Sequence, residues 1–298
     1  MSYTADFPFC EFPFDQWNPV QEKCLPWFSE PRNLVLSASV ASGKTAVAEA
    51  IMGWSLSQPG KSKVLYVSPL KALSAEKYNE WIVHPTFCKF KIELLDSDHH
   101  PEDFDSPRIV LSTVESADIV CRANADWLKK VNCLVFDEAH LLGSSDRGAT
   151  SEAVLMKFSE ICPNSRLILL SGTMSNTKEL ALWVNSLNNL PTSFLSSQWR
   201  PTTLYKLVEV RKNFQSQISF VVEKILKNPE EKILVFVHAK KTGETLVKKI
   251  RESGRRASFF SADLKEEDRE ALITKFKNPM SGLDVLVATS SLAMGVSL

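Results

Sequence analysis

The octapeptide Ala38-Ser39-Val40-Ala41-Ser42-Gly43-Lys44-Thr45 lies between an apolar run, Asn33-Leu34-Val35-Leu36, and a helix-favouring one, Ala46-Val47-Ala48-Glu49-Ala50. Strand, loop and helix in that order are the setting a phosphate-binding loop requires. A loop that opens a helix aims its free backbone N–H groups, here those of Ala41 through Ala46, at one spot where the helix dipole also favours anions. Lys44 can then reach the outer phosphates of a nucleoside triphosphate, and the Thr45 hydroxyl can take magnesium. One departure is visible, because Ala38 occupies the first glycine position of the usual pattern.

A second stretch supplies what the first lacks. Val131-Asn132-Cys133-Leu134-Val135-Phe136 is an almost continuous apolar run, the pattern of a parallel strand buried on both faces. Asp137 and Glu138 follow it directly. Ligands of open α/β sheets bind beyond the carboxyl ends of the strands, so two acids there stand at the edge where chemistry occurs. Asp137 is expected to hold magnesium, and Glu138 to orient and deprotonate an attacking water. The cofactors implied are ATP and Mg2+.

The chain has 298 residues, enough for two ordinary domains, and 44% of them are hydrophobic, too many for a disordered chain. No stretch approaches the roughly 20 apolar residues of a membrane span, and the first 17 residues lack the pattern of a secretory signal. Cys10, Cys24, Cys88, Cys121, Cys133 and Cys162 show no CxxC spacing, which fits small core residues of a reduced, intracellular protein. Net charge is zero, with a balance of −5 over residues 1–202 and +5 over 203–298. Such a chain is not drawn to nucleic acid by its bulk field, although a local basic groove remains compatible with it.

Strand-like and helix-like segments alternate from residue 33 onward, which predicts parallel sheets with helices on both faces. The expected strands of a first series are 34–37, 63–67, 91–95, 108–111, 131–136 and 166–170, with helices such as 72–81 and 152–161. Periodicity lapses across 191–203 (PTSFLSSQWRPTT), where Ser, Thr and Pro accumulate. A second series follows, with 203–210, a helix over 214–227, a strand over 232–237, a helix over 241–253, a strand over 257–260, a helix over 265–276 and a strand over 284–288. The expected organisation is an N-terminal segment 1–32, rich in Phe, Pro and Trp and packed across a domain of residues 33–200, then a second α/β domain of residues 201–298.

Other strand ends carry polar residues at the same edge. Ser68-Pro69-Leu70-Lys71 and Ser112-Thr113 can meet a phosphate backbone through Lys71, Thr113 and main-chain amides. Ser171-Gly172-Thr173 follows the strand after the acidic pair, where its hydroxyls can sense a terminal phosphate. Thr289 and Ser290 end the last strand of the second series. His99 and His100 lie among Asp96, Asp98 and Asp103 at a spacing that fits a solvated loop better than a metal site.

Taken in order, these blocks resemble the Ski-like DExH branch of superfamily 2 helicases. Asn18-Pro19-Val20-Gln21 is similar to that group's adenine-reading glutamine motif. ASVASGKT resembles motif I, SPLKAL (68–73) motif Ia, LSTVES (111–116) motif Ib, FDEAHLLG (136–143) motif II and SGTMSN (171–176) motif III. ILVFVHAKK (233–241) resembles motif IV and VATSSLAMGV (287–296) motif V. The resemblance covers roughly residues 17–298. It implies two RecA-like P-loop domains, the second incomplete at its C-terminus, with single-stranded DNA or RNA as the partner and tracking in the 3′ to 5′ direction.

Residue by residue, the resemblance implies that Gln21 reads adenine, with an aromatic such as Trp17 stacked on the base. Ala41, Ser42, Gly43, Lys44, Thr45 and Ala46 would cradle the phosphates. Pro69, Lys71, Thr113, Thr289 and Ser290 would grip the strand, and His140, Ser171 and Thr173 would couple hydrolysis to movement. Ser261 and Ser297 stand where many members have His and Asn. The arginines of motif VI do not occur in the sequence, and losing an arginine finger costs about 10³–10⁵ in rate. The expectation is the front portion of a helicase, either cut from a longer chain or one chain of a split protein whose further polypeptide supplies motif VI, that binds ATP–Mg2+ but turns it over poorly alone. The alternative to a motor is an ATP-gated clamp on single strands; a P-loop kinase is disfavoured by the second α/β series.

Overall fold

The computed structural model describes residues 2–60, 62–172, 174–261, 263–289 and 292. They divide into two compact units, Met1–Thr203 and Leu204–Leu298.

The first unit is a parallel sheet covered on both faces. Its strands are β1 (Asn33–Ala38), β2 (Lys63–Ser68), β3 (Ile92–Leu95), β4 (Ile109–Thr113), β5 (Val131–Phe136), β6 (Arg166–Ser171) and β7 (Thr192–Ser197). Its helices are α1 (Pro19–Phe28), α2 (Lys44–Ser57), α3 (Lys71–Trp81), α4 (Val114–Arg122), α5 (Gly148–Ile161) and α6 (Thr177–Leu187). The strand order is β3-β4-β2-β5-β6-β1-β7. Every residue of β1, β2, β4 and β6 is buried, which is why these strands read as unbroken apolar runs rather than alternating ones.

Alternation survives in which core each residue joins. Leu34 and Leu36 of β1, with Ile168 and Leu170 of β6, pack against α1 and α2. Val35, Leu167 and Leu169 point the other way, into the core built with α4, α5 and α6. At about 1.5–3 kcal/mol for each large aliphatic side chain removed from water, two such layers hold the carboxyl edge of the sheet rigid. The sheet places β6 between β1 and β5, with Ser37 opposite Ser171 and Phe136 opposite Leu169. The ends of the phosphate-loop strand and the acidic strand therefore meet across a single intervening strand.

The N-terminal segment is more ordered than its composition implies. Pro19–Phe28 folds as α1, started by Asn18, whose side chain accepts from the backbone N–H groups of Val20 and Gln21 while Gln21 reaches back to the Asn18 N–H. This is a capping box with Pro at the first helical position. Phe7, Phe12, Phe14 and Phe28 surround Trp17 at ring-centroid distances of 4.8–6.5 Å, and the cluster joins the α1–α2 core.

Two sequence expectations at the junction of the series are corrected. Thr192–Ser197, within the stretch that reads as a break, is β7, parallel to β1 from Asn33↔Thr192 to Ala38↔Ser197. It is a sheet edge with only one covered side, so polar residues suit it. Residues 203–210, which open the second series on paper, form no strand. No described strand pairs with them, and Tyr205, Val208 and Val210 are 90%, 88% and 88% exposed.

The second unit contains α7 (Phe214–Lys227), β8 (Ile233–Phe236), α8 (Lys240–Glu252), β9 (Ala257–Phe260), α9 (Glu266–Lys277) and β10 (Val285–Ala288). Its parallel strands are ordered β8-β10-β9. Val285 and Val287 pack with Ile218, Ile225, Leu246 and Ile250 of α7 and α8 on one face. Leu286 and Ala288 pack with Phe260 and Phe276 on the other.

Candidate active site

The loop after β1 is held in a shape most residues avoid. Ala41 has φ 62° and Gly43, the residue preceding α2, has φ 77°. At Gly43 a Cβ would lie 2.2 Å from Nε2 of Gln21, so glycine is required both for the left-handed backbone and for the close approach of α1. That approach is bonded. Gln21 Nε2 donates to the Gly43 carbonyl at 3.3 Å, and Asn18 Nδ2 donates to the Ser42 carbonyl at 3.0 Å. These bonds fix the Ser42 and Gly43 carbonyls toward α1, and the Ser42 N–H donates within the loop to the Ser39 carbonyl at 3.2 Å.

Lys44 folds across its own loop and donates to the carbonyls of Ala38 (2.9 Å) and Ser39 (3.2 Å). Burial lowers its pKa; the charges of Glu138 and Asp137 oppose that shift, and Arg200 adds to it. Thr45 follows in the first turn of α2, half-buried.

Asp137 continues the β5 ladder, its N–H donating to the Val67 carbonyl at 2.9 Å. Its carboxylate is held at both oxygens: Oδ1 accepts from the Glu138 N–H at 2.9 Å, and Oδ2 accepts from the Tyr66 hydroxyl at 2.6 Å. Glu138 takes a left-handed backbone (φ 51°, ψ 45°), rare for a residue with a side chain. Its Oε2 lies 3.1 Å from Nδ1 of the exposed His140. Burial and then the Asp137 charge raise the pKa of Glu138, while His140 and Lys44 pull it back. A carboxylate with raised basicity is the kind that accepts a proton from water.

The end of β6 lies between these two groups. Ser37 Oγ accepts from the Met174 N–H at 2.8 Å, which ties the segment after β6 to the phosphate-loop strand. The hydroxyls of Ser42 and Ser171 are buried without a hydrogen-bond partner among the described residues. Buried hydroxyls without a partner at the carboxyl edge of the sheet fit a polar ligand.

The structure thus brings together Gln21, the loop 41–46, Asp137, Glu138, His140 and Ser171. It disagrees about Trp17, which is 4% exposed, ringed by phenylalanines and bonded through its indole N–H to the Tyr3 carbonyl at 3.2 Å. Its faces are spent on the core, so it cannot stack on a base. Thr113 is 6% exposed and serves as the N-cap of α4, accepting from the Ser116 N–H at 3.3 Å. Lys71, at the start of α3, forms an ion pair with Asp98 at 2.7 Å. The Pro69 carbonyl accepts from the Arg147 guanidinium, which also lies 3.3 Å from Glu115. Thr289 donates its N–H to the Phe260 carbonyl at 3.3 Å in the second unit. Thr173 and Ser290 lie outside the described residues.

Sequence reading did not single out Tyr66, and it placed Asn18 and Arg147 in motif-like segments without giving either a role. Tyr66 had a signal, a phenol in an otherwise aliphatic buried strand (KVLYVS), where a hydroxyl must find a partner. Asn18 had one too, in the capping box. Arg147 had none beyond its place after the acidic motif.

A model of the DEAD/DEAH box helicases matches residues 18–180, and one of the helicase conserved C-terminal domain matches 216–298. The chain belongs to the DEAD/DEAH box helicase family. Within it, the relatives are those of the Ski-like branch that the motif order resembles. The ATP-dependent DNA helicase Hel308 of Methanocella arvoryzae is 32% identical over 257 residues, 79% of this chain and 33% of that protein. The ATP-dependent DNA helicase MER3 of Saccharomyces cerevisiae is 27% identical over 334 residues, 96% of this chain and 28% of its own. This helicase-family chain therefore spans about a third of the length of the curated relatives it matches. Among solved structures, Saccharomyces cerevisiae Dbp5 L327V bound to RNA and ADP BeF3 superposes with a TM-score of 0.69 at 20% identity, covering 95% of this chain and 72% of Dbp5. The two α/β units are RecA-like.

Proposed function

We propose that this chain is the ATP-hydrolysing part of a superfamily 2 motor that moves on single-stranded nucleic acid and separates duplexes. The observation that carries the reading is the meeting of the Lys44 loop with Asp137 and Glu138 across β6. In this reading residues 33–200 are the ATP-binding domain, Gln21 of the segment 1–32 reads adenine by giving up its bonds to Asn18 and the Gly43 carbonyl, and residues 201–298 belong to the second motor domain. The backbone N–H groups of 41–46 and the Lys44 ammonium bind the phosphates. Lys44 exchanges the Ala38 and Ser39 carbonyls for phosphate oxygens, a gain in charge-assisted bonding.

A hydroxyl and a carboxylate, Thr45 and Asp137, make an oxygen donor set of the hard kind that magnesium takes when phosphates supply the rest. Magnesium so held neutralises charge on the phosphoryl oxygens. Glu138, made more basic by burial, orients the attacking water and takes its proton, and His140 holds the Glu138 carboxylate in place. Pro69, Lys71, Thr113, Thr289 and Ser290 are read as strand contacts. For Lys71 this means trading Asp98 for a phosphate; for Thr113 it means contact through the main chain, because its hydroxyl caps α4. A further polypeptide carrying the motif VI arginines completes the charge stabilisation. The exposed apolar segment 204–210 supports a need for additional cover in the second unit. The names of the relatives support DNA as the polymer.

The test is ATP turnover without nucleic acid, with single-stranded DNA and with single-stranded RNA, in the parent chain and in Glu138→Gln. Stimulation by a single strand, abolished in the variant, is the expected result. ATP-dependent strand binding with no turnover under any condition overturns the hydrolytic part and makes the chain a clamp.

A further inference from the structure

Tyr66 is fully buried, in the middle of the sheet, and belongs to neither the phosphate loop nor the acidic motif. On one side its hydroxyl donates to Oδ2 of Asp137 at 2.6 Å. On the other, its ring stands edge-on to Trp81 at a centroid distance of 5.1 Å and an interplanar angle of 88°. Trp81 is the last residue of α3, and its indole N–H donates to Oε1 of Glu49 on α2 at 2.8 Å. The helix that opens with Lys44, the helix that opens with Lys71 and the acid that ends β5 are therefore connected through one phenol and one indole.

The carboxylate has two oxygens, and each has one protein donor. Tyr66 occupies Oδ2 from the sheet side, and the Glu138 N–H occupies Oδ1. The second bond also secures the left-handed backbone of Glu138. With both donors present the carboxylate plane is fixed. With the phenol removed, the remaining bond leaves rotation about the Cβ–Cγ bond open, and both acids lose orientation. Donors behind a metal-binding carboxylate set the affinity of the site as well as its geometry, typically by about 10–100-fold when one is lost.

We propose that Tyr66 is a positioning residue for Asp137, its hydroxyl setting the carboxylate to receive a divalent cation. The proposal rests on the reading of Asp137 as the magnesium ligand. The phenol never touches nucleotide; it acts through the acid.

The experiment uses Tyr66→Phe, which keeps the ring and its contact with Trp81 and deletes one oxygen. Mn2+ binding in the presence of a non-hydrolysable ATP analogue is followed by electron paramagnetic resonance, and fluorescent ATP binding is followed separately in EDTA. Mn2+ affinity is expected to fall about 10-fold in Tyr66→Phe, with metal-free nucleotide affinity within twofold of the parent. Trp81→Phe, which disturbs the same packing but spares the phenol, is expected to lower the melting temperature and leave Mn2+ affinity within twofold. Equal Mn2+ affinity in parent and Tyr66→Phe overturns the proposal, as does an equal loss in Trp81→Phe. If the parent binds fluorescent ATP in EDTA but shows no analogue-dependent Mn2+ binding, it is the assignment of Asp137 that fails, and the role of Tyr66 goes with it.

Discussion

Arg166, the first residue of β6, donates through Nη1 to the carbonyl of Phe28, the last residue of α1, at 2.9 Å. The same guanidinium donates to the Trp27 carbonyl at 2.7 Å and the Arg32 carbonyl at 2.9 Å, and it lies 5.2 Å from the Trp54 ring. A helix that ends in unpaired carbonyls has been given a buried cation at the pole where its dipole is negative. Arg166→Met removes all three donors and is expected to cost about 2–4 kcal/mol of unfolding free energy, read as a lower urea midpoint at unchanged slope. Arg166→Lys recovers only part of it, because one ammonium cannot reproduce the fork.

Gly43→Ala is expected to leave the fold intact and to remove the site. A left-handed backbone costs a residue with a Cβ about 1–2 kcal/mol, and the added carbon would also displace Gln21. The sign is a loss of nucleotide affinity of at least about tenfold, with circular dichroism unchanged. Affinity equal to the parent's would show that the contact between α1 and the loop does not constrain binding.

Glu49 predicts how stability varies with pH. Burial raises its pKa to about 7 from 4.5, with the Trp81 hydrogen bond opposing. An acid with a raised folded-state pKa binds more protons folded than unfolded between those two values, so stability falls as pH rises through that window. The loss approaches about 3 kcal/mol at most. Glu49→Gln keeps an acceptor for Trp81 and is expected to flatten the profile between pH 4.5 and 7 and to raise the melting temperature at pH 8. An unchanged profile would place the pH dependence elsewhere.

Residues 204–212 are exposed along their length and contain Lys206, Arg211 and Lys212. Backbone unprotected by a neighbouring strand is the preferred substrate of a protease. Limited trypsinolysis is expected to cut there first and to release a first-unit fragment that still unfolds cooperatively. Early cuts within β1–β7 would contradict the burial of that sheet.

How much of this could be read from residues alone follows the physics of each element. The central strands were legible because both faces are covered, so every residue is apolar and the runs stand out. The loop and the acidic pair were legible because their chemistry restricts residue type. β7 was hidden: an edge strand with one covered side tolerates Thr192, Ser193, Ser196 and Ser197, the composition of a linker. The segment 203–210 misled in the opposite sense, since Leu204, Leu207, Val208 and Val210 have strand propensity and no described strand to pair with. Trp17 misled because an aromatic beside a base-reading motif suggests stacking, whereas packing among four phenylalanines uses its faces. Partnerships such as Tyr66 with Asp137 depend on the register Val67↔Phe136, which only the folded sheet supplies.

Pairing across that sheet has a kinetic meaning. The Lys44 loop and the acid pair are more than ninety residues apart in the chain, and they face each other only after β5, β6 and β1 are paired. Contacts this distant form late, since closing the chain precedes any reward for doing so. A ligand that requires both groups has nothing to hold in a half-assembled chain, and by mass action it favours the finished one. Nucleotide affinity in a refolding experiment should therefore appear with the last cooperative phase rather than with the growth of helix, which makes a bound nucleotide a reporter of finished folding.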